Sequence, residues 1–224
     1  AKLPKTAAGT NYYSPEVLKV LRLSSKNHVD AAIMVGQRKI HLLVSHPTPP
    51  VFDGPENRNG LRNHDEIQFW TDYITPTNSG YIVDDKGRRG GLQDDDEFIV
   101  LGDLNADPID GDGINSGINR LLNHKRILKS TALGDLVPSS RGGAKQNPKV
   151  MNQKGDPAHD TASWGLRVDY VLPSKGFAVI ASGVFWPESG APHADLVGST
   201  EPEKAPSDHR LVWIDIRPAR AQVD

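Results

Sequence analysis

Residues 98–108 read FIVLGDLNADP, and this stretch decides the fold of the chain. Its apolar run, residues 99–101, has the length and composition of a short buried strand, and the glycine after it ends that strand. Asp103 and Asn105 are two positions apart, so both side chains leave the same face if the extended backbone continues. A carboxylate held beside a carboxamide suits the activation of a water or the binding of an anionic ester, although an Asx-rich turn uses the same residues.

Two other predicted strands carry a histidine at one end. Residues 39–46 read KIHLLVSH, a strand that ends at His46 before a proline. Residues 206–216 read PSDHRLVWIDI, where a loop with Asp208 and His209 leads into a strand. Catalytic groups gather at such strand ends, because a rigid scaffold positions the loops there. His46 could equally be a strand-end residue whose ring has a structural partner.

A further short strand, residues 167–173 (RVDYVLP), carries a lone acid among apolar residues. A buried carboxylate is costly unless it is paired, and a histidine from a neighbouring strand is the natural partner. We therefore expect Asp169 to pair with a histidine from a neighbouring strand, although Asp169 could instead cap a turn. Such a pair would bring two strands that are distant in sequence to one point.

The ordered set of these motifs resembles the endonuclease/exonuclease/phosphatase superfamily: a strand-end histidine, Gly-Asp-x-Asn, x-Asp-Tyr-Val and Ser-Asp-His. That group holds deoxyribonuclease I-like nucleases, abasic-site endonucleases, inositol polyphosphate phosphatases and sphingomyelinases. Each motif is only a few letters long, and the signal comes from their order. From Ser14 to Trp213 the chain resembles more specifically a bacterial, often secreted branch of uncharacterised members, which implies a secreted or periplasmic location.

The resemblance implies an α/β fold, the four-layer sandwich in which two mixed β-sheets pack face to face with helices outside. Members of the superfamily begin with a strand that carries an Asn, followed by a helix and a strand that ends in a metal-binding Glu. Residues 1–30 contain no apolar strand of this kind. We therefore expect residues 1–224 to be the C-terminal portion of one such domain, incomplete at the N-terminus, with loop-like ends at 1–28 and 218–224.

An incomplete domain of this kind has three expected consequences. The principal metal ligand lies outside the chain, and the chain alone is inactive. Much of the inner face of one sheet is exposed, so the N-terminal half of the domain is a partner that the chain needs to stay soluble.

The resemblance also implies a role for each strand-end side chain. Asp103 would orient or deprotonate the attacking water, and Asn105 would hold the phosphoryl group. His209 would contact a non-bridging oxygen while Asp169 orients its ring. His46 would be the general acid or a phosphate contact, because the ordinary pKa of histidine, about 6.5, suits proton transfer near neutrality.

A divalent metal is the cofactor that the resemblance implies. Asp208 is expected to bind it beside the absent Glu, together with Asp103 and Asn105. Hard oxygen ligands favour Mg²⁺, with Mn²⁺ or Ca²⁺ as alternatives. A different group, Arg58, Arg62 and His64, could hold a second phosphate or a distal anion of the substrate. A solvated loop before a helix is the alternative interpretation of that group.

Charge and composition limit the partners. The net charge of −2 argues against a broadly basic surface for long nucleic acid, because phosphate binding there needs clustered Lys and Arg, but a small phosphoester remains a possible substrate. The absence of Cys excludes disulfides, thiolate metal sites and cysteine nucleophiles. No apolar run reaches the roughly eighteen residues that a membrane span needs.

Periodicity predicts the remaining elements. Strands are expected at 29–35, 39–45, 168–172, 177–184 and 211–216, helices at 64–74 and 114–122, and a surface loop at 137–163. In the first helix Ile67, Trp70 and Ile74 share one stripe, and Asp65 and Glu66 would lie in the first turn, where the helix dipole favours acids. Two hypotheses follow: a metal-dependent phosphoesterase that hydrolyses a phosphodiester or phosphomonoester, or a catalytically inactive binding or scaffold module that keeps the fold.

Overall fold

The computed structural model describes residues 1–145, 152–198 and 205–219. Its strands, in chain order, are β1 His28–Val35, β2 Arg38–Ser45, β3 Glu97–Asp103, β4 Asp169–Pro173, β5 Phe177–Phe185 and β6 Leu211–Pro218. Its α-helices are α1 Pro15–Val20, α2 Arg58–Tyr73, α3 Ser116–Leu122, α4 Lys129–Ala132 and α5 Arg141–Ala144. None of the helices in these ranges is long and apolar enough to cross a bilayer.

Two sheets organise the described residues. The larger sheet has the order β1-β2-β3-β4 and is mixed, because β2 and β3 are parallel while the outer pairs are antiparallel. The second sheet pairs β5 with β6 antiparallel. With helix α2 packed on the larger sheet, this confirms the expected α/β architecture with two sheets.

Strand β3 lies in the interior of the larger sheet. Phe98 and Val100 are fully buried, as expected of a strand with neighbours on both sides and a helix above it. Gly102 has a φ of +138°, and a Cβ at this position would overlap the carbonyl oxygen of Ser45 on β2. Only glycine allows β3 to lie this close to the end of β2.

Helix α2 covers one face of that sheet with the predicted stripe. Ile67, Trp70 and Ile74 are at most 1% exposed. The helix begins at Arg58, however, so the prediction of a start at residue 64 was wrong, and the acids at 65 and 66 lie in the helix interior. The cause is Asp53, whose carboxylate accepts the backbone N–H groups of residues 59 and 60 at 2.9 Å and caps the helix upstream.

Most other boundaries shift by one or two residues from their predicted positions. The segment 137–163 is more than the surface loop we expected, because it contains α5 and the buried residues Val137, Asp160 and Thr161. Residues 146–151 of that segment lie outside the described part of the chain. The short helix α4 had no sequence signal, since four residues are too few for a period to show.

The sheet face away from α2 is apolar and partly open in the described residues. Val29 and Ile33 on β1 are 40% exposed, and Val44 on β2 is 37% exposed. Val29 and Val44 are direct partners in the antiparallel pair, so they stand on one face. A covering layer of the kind expected from the N-terminal half would suit this face, and that covering stays a prediction.

Candidate active site

His209 and Asp169 form a hydrogen-bonded pair between two strands. Asp169 is the first residue of β4, and His209 lies two residues before the start of β6. The His209 Nδ1 and Asp169 Oδ2 atoms are 2.8 Å apart. The loop that carries His209 is fastened by an isolated bridge to Ala162 and by the amide of Ser163, which donates to the carbonyl oxygen of Asp208 at 2.8 Å.

Asp103 and Asn105 meet through a turn. The extended backbone does not continue past Asp103, because Asn105 has a φ of +49° in the left-handed region, so the condition for strand alternation is not met and the alternative, an Asx turn, is present. Instead, the Asn105 N–H donates to Asp103 Oδ1 at 2.8 Å, and Asn105 Nδ2 donates to Asp103 Oδ2 at 3.2 Å. Asn and Asp adopt such Asx turns readily, so the turn itself brings the carboxamide to the carboxylate.

Both site histidines point to one oxygen of Asp103. His46 Nε2 is 3.3 Å from Asp103 Oδ2, and His209 Nε2 is 3.8 Å from the same atom. Asp103 also faces Asp169 directly in the register of β3 and β4. Half of the His46 side chain and 30% of the His209 side chain are exposed, so the cluster is open to solution. The structure therefore brings together the side chains for which we predicted catalytic roles.

Burial and charge shift the pKa values of two groups in this cluster. Burial raises the pKa of Asp103, and the nearby charge of Asp169 acts in the same direction, although the N–H of Asn105 opposes both. For His209, burial lowers the pKa, but the hydrogen bond and charge of Asp169 outweigh burial and raise the pKa above its ordinary value. The pair thus favours an imidazolium that can contact an anionic oxygen.

The donor set of the cluster fits a divalent cation. Among the described acidic and histidine residues, the group that brings ligand atoms within 4.8 Å of one another is Asp103, Asp169 and His209. Two adjacent carboxylates disfavour each other's ionisation, and a bound cation relieves that repulsion. Carboxylate oxygens suit Mg²⁺, Mn²⁺ or Ca²⁺, and the imidazole nitrogen suits Mn²⁺ best of these.

Asp208, an expected metal ligand, is outside this group. It is exposed, whereas His209 next to it turns inward. Consecutive residues at the start of a strand point to opposite sides, so a single segment cannot direct both side chains to Asp103. Asn105, the other expected ligand besides Asp103, remains at the cluster through its contacts with Asp103.

The residues predicted to bind a second phosphate lie away from this cluster. Arg58 pairs with Glu56 at 3.3 Å, and Arg62 donates to the carbonyl oxygens of residues 22 and 23. His64 is 3% exposed and packs against Gly117 of α3, because the early start of α2 places it on a buried face. The structure thus does not join these three residues to the site, and their substrate role stays a prediction.

Two contributors to the site had no usable sequence signal. Thr161 Oγ1 accepts the backbone N–H of Asp169 at 3.0 Å, and its carbonyl oxygen accepts the N–H of Arg210 at 2.7 Å, so it links the starts of β4 and β6. The ring of Trp164 packs edge-to-face on the His209 ring at a centroid distance of 5.1 Å and is 39% exposed. Both lie in a polar, aperiodic segment in which sequence patterns carry no positional information.

Comparisons with known proteins place the chain in a family. A family model described as "Endonuclease/Exonuclease/phosphatase family" matches residues 9–209. Among solved structures, the chain is similar to the endonuclease/exonuclease/phosphatase from Beutenbergia cavernae DSM 12333, with a TM-score of 0.48 and 16% sequence identity. That similarity covers 88% of this chain and 39% of the other. No curated protein matches the sequence.

Proposed function

This chain belongs to the endonuclease/exonuclease/phosphatase family, and we propose that it takes part in the hydrolysis of a phosphodiester or phosphomonoester by an activated water, with a divalent metal as cofactor. Members of the family are hydrolases of phosphoester bonds and generally depend on such a metal. The observation that most supports the proposal is the convergence of His46, Asp103 and the Asp169–His209 pair on one exposed point.

The chemistry needs a proton acceptor for the attacking water. Asp103 is suited to that role, because burial raises the pKa of its carboxyl and makes the carboxylate a stronger proton acceptor. Its Oδ1 atom accepts the Asn105 N–H at 2.8 Å, whereas Oδ2 accepts the longer hydrogen bond from Asn105 Nδ2 at 3.2 Å and is the oxygen to which both imidazoles point, so we assign Oδ2 to the attacking water. The turn that holds Asn105 therefore also selects which oxygen of Asp103 reacts.

The phosphoryl group needs donors for its negative oxygens. His209 offers its Nε2–H, while Asp169 holds the other ring nitrogen and fixes the orientation of the ring. Asn105 Nδ2 donates to Pro47 and Asp103, so it would hold a phosphoryl oxygen by exchanging one of these hydrogen bonds for it. His46 is half exposed at the same point, so it can protonate the leaving oxygen. Asp103 and Asp169 would hold the metal, which when bound supplies positive charge against the phosphoryl oxygens.

The net charge bears on the substrate. At −2, the chain lacks the excess of Lys and Arg that tracks a long phosphate backbone. Small phosphoesters and single phosphorylated head groups need only the few donors of the cluster. We therefore propose a small phosphoester rather than duplex DNA as the substrate.

Hydrolysis of bis(4-nitrophenyl) phosphate by the full-length protein, with Mg²⁺ or Mn²⁺ added, tests the proposal. Asp103→Ala and His209→Ala should each lower kcat by more than about 100-fold, because each removes a group that moves or stabilises charge in the transition state. His124→Ala is the matched control, because His124 contacts Thr75 and lies away from the cluster, and its kcat should equal that of wild type.

A silent wild-type protein would contradict the phosphoesterase proposal. If several phosphodiesters and phosphomonoesters remain intact with each metal, the chain is better explained as a binding or scaffold module. In that case calorimetry with Mn²⁺ should still distinguish a retained metal site from a lost one.

A further inference from the structure

Helix α2 presents a buried polar stripe to the loops that carry the site. Asn63 is 1% exposed and Glu66 is 0% exposed, and they are followed on the same face by Trp70. The spacing of three and four residues places all three on one side of the helix. Because a buried polar group is costly unless it is paired, we infer the role of Asn63 and Glu66 from the groups that they hydrogen-bond.

The amide of Asn63 joins the two loops that follow the parallel strands β2 and β3. Asn63 Nδ2 lies 2.9 Å from the carbonyl oxygen of Thr48, 3.0 Å from that of Leu104 and 3.2 Å from that of Asn105. Thr48 is two residues beyond His46, and Leu104 directly follows Asp103. One side chain therefore sets the distance between the loop of His46 and the loop of Asp103 and Asn105.

The carboxylate of Glu66 also binds the loop that carries His46. Glu66 Oε2 accepts the backbone N–H of Thr48 at 2.6 Å, and Oε1 accepts the backbone N–H of Ser25 at 2.6 Å. Both backbone polar groups of Thr48 are thus bound to α2. They have no strand partner here, because β2 has ended and Pro47 has no N–H to offer.

A third hydrogen bond joins the loops directly. Asn105 Nδ2 donates to the carbonyl oxygen of Pro47 at 3.1 Å as well as to the carboxylate of Asp103. The position of the Asn105 carboxamide therefore depends on where the loop 46–48 lies, and that loop depends on α2. A shift of the loop would move His46 and Asn105 together relative to Asp103.

We propose that Asn63 and Glu66 are positioning residues of the active site, which act by holding His46 and Asn105 in register with Asp103. The inference rests on the proposed function for its effect on rate, whereas its geometric content stands on the hydrogen bonds alone. Neither residue lies within the cluster that contacts the substrate. Their effect is transmitted through the backbone of the loop 46–48 and of residues 104–105.

Two nearly isosteric variants test this in the full-length protein. Asn63→Asp replaces the donor amide by a carboxylate that faces three carbonyl oxygens, and Glu66→Gln removes the charge that binds two N–H groups. Each should lower kcat by about 10- to 100-fold while KM changes by less than about threefold, because His46 and Asn105 are misplaced relative to Asp103 while the substrate contact of His209 remains. The rates are measured well below the melting temperature of each variant, so that every molecule is folded.

The matched control is Thr131→Val. Thr131 is fully buried, and its hydroxyl donates to the carbonyl oxygen of Leu128 at 3.0 Å, away from both loops. This variant should lower the melting temperature and leave kcat unchanged. A loss of kcat in the control equal to that in Asn63→Asp would overturn the proposal, because the loss would then follow stability rather than position.

A second measurement does not depend on activity. In ¹⁵N NMR spectra, the side-chain amide of Asn105 and the ring nitrogens of His46 should shift in Asn63→Asp and stay at their wild-type positions in Thr131→Val. Unchanged signals in Asn63→Asp would overturn the proposal whatever the rate. If wild type hydrolyses no ester, the proposed function fails, but the NMR measurement still decides the positioning role. If Asn63→Asp does not fold, Glu66→Gln replaces it in both the kinetic and the NMR measurements.

Discussion

The ring of His209 lies between carboxylates on two strands, and this placement controls its charge. Burial acts against the protonated ring, but the hydrogen bond that His209 donates to Asp169 and the charges of Asp169, Asp103 and Asp208 outweigh burial. The pKa of Asp103 is raised as well, but for this carboxyl the raised pKa favours the neutral form, because burial and the charge of Asp169 both act against its ionisation. The pKa values of both groups are therefore raised, so each holds a proton at a higher pH than it would in an ordinary environment.

Asp169→Asn should lower the pKa of His209. The substitution keeps the size of the side chain and removes the charge that favours the imidazolium. Titration of the His209 ring by NMR in metal-free protein measures the change, with Asp72→Asn on α2 as the control in which the pKa of His209 stays the same. A wild-type pKa in Asp169→Asn would contradict the pairing.

The same pair predicts a pH dependence of stability. A histidine whose pKa is raised by folding contributes stabilisation that is complete below its ordinary pKa and is lost as the pH rises through the folded value. The difference in unfolding free energy between wild type and Asp169→Asn should therefore be larger in mildly acidic than in mildly alkaline solution. Urea unfolding of the metal-free proteins at two pH values measures it.

At the scale of elements, the close approach of β2 and β3 brings His46 to Asp103. Gly102 permits this approach, because its φ of +138° and the nearby carbonyl oxygen of Ser45 leave no room for a side chain. Ser45 is the last residue of β2, and its hydroxyl accepts a hydrogen bond from the Trp70 indole at 2.7 Å. Strand β3 and helix α2 thus both contact Ser45, the residue directly before His46.

Gly102→Ala should lower the unfolding free energy by about 2–3 kcal/mol or more, because the methyl group must push β3 away from β2 and the backbone is strained. Gly80→Ala is the control, since nothing lies within 4 Å of a Cβ there, and it should change stability by less than about 0.5 kcal/mol. Chemical unfolding of both variants measures the effect. Equal stability of the two variants would show that the strands can separate without cost.

At the scale of the whole molecule, a buried acid next to Thr161 limits stability. Asp160 is 2% exposed, and Gln153 Nε2 donates to both of its carboxylate oxygens at 2.9 Å. Burial, together with the charges of Asp107, Asp110 and Asp156, raises the pKa of Asp160 to about 6. A carboxyl whose pKa rises on folding destabilises the fold wherever the unfolded chain would ionise it.

Asp160→Asn should therefore stabilise the protein at neutral pH. From an ordinary value of 3.8 to about 6, the shift corresponds to a cost of about 3 kcal/mol that develops as the pH rises between those values and is complete above the folded pKa. The gain from the substitution should be largest near pH 7 and should vanish near pH 4. Urea unfolding at both pH values checks this, and an equal effect at both would exclude the ionisation of Asp160 as the cause.

The amino-acid sequence by itself determined the elements and the composition of the cluster. Apolar alternation located β1 to β6 to within a few residues, and the stripe of Ile67, Trp70 and Ile74 identified the packed face of α2. That Asp169 needs a histidine partner followed from its place among apolar residues, and the family resemblance identified His209 as that partner. These inferences succeed because burial and period are properties of short segments.

Only the tertiary structure decided the contacts within and behind the cluster. The outward position of Asp208 and the bonds of Asn63 and Glu66 depend on where separate segments meet. A hydrogen bond between residues some forty positions apart leaves no local pattern in the sequence. The packing of α2 against the ends of two parallel strands creates those bonds, because it buries backbone groups that no strand can satisfy.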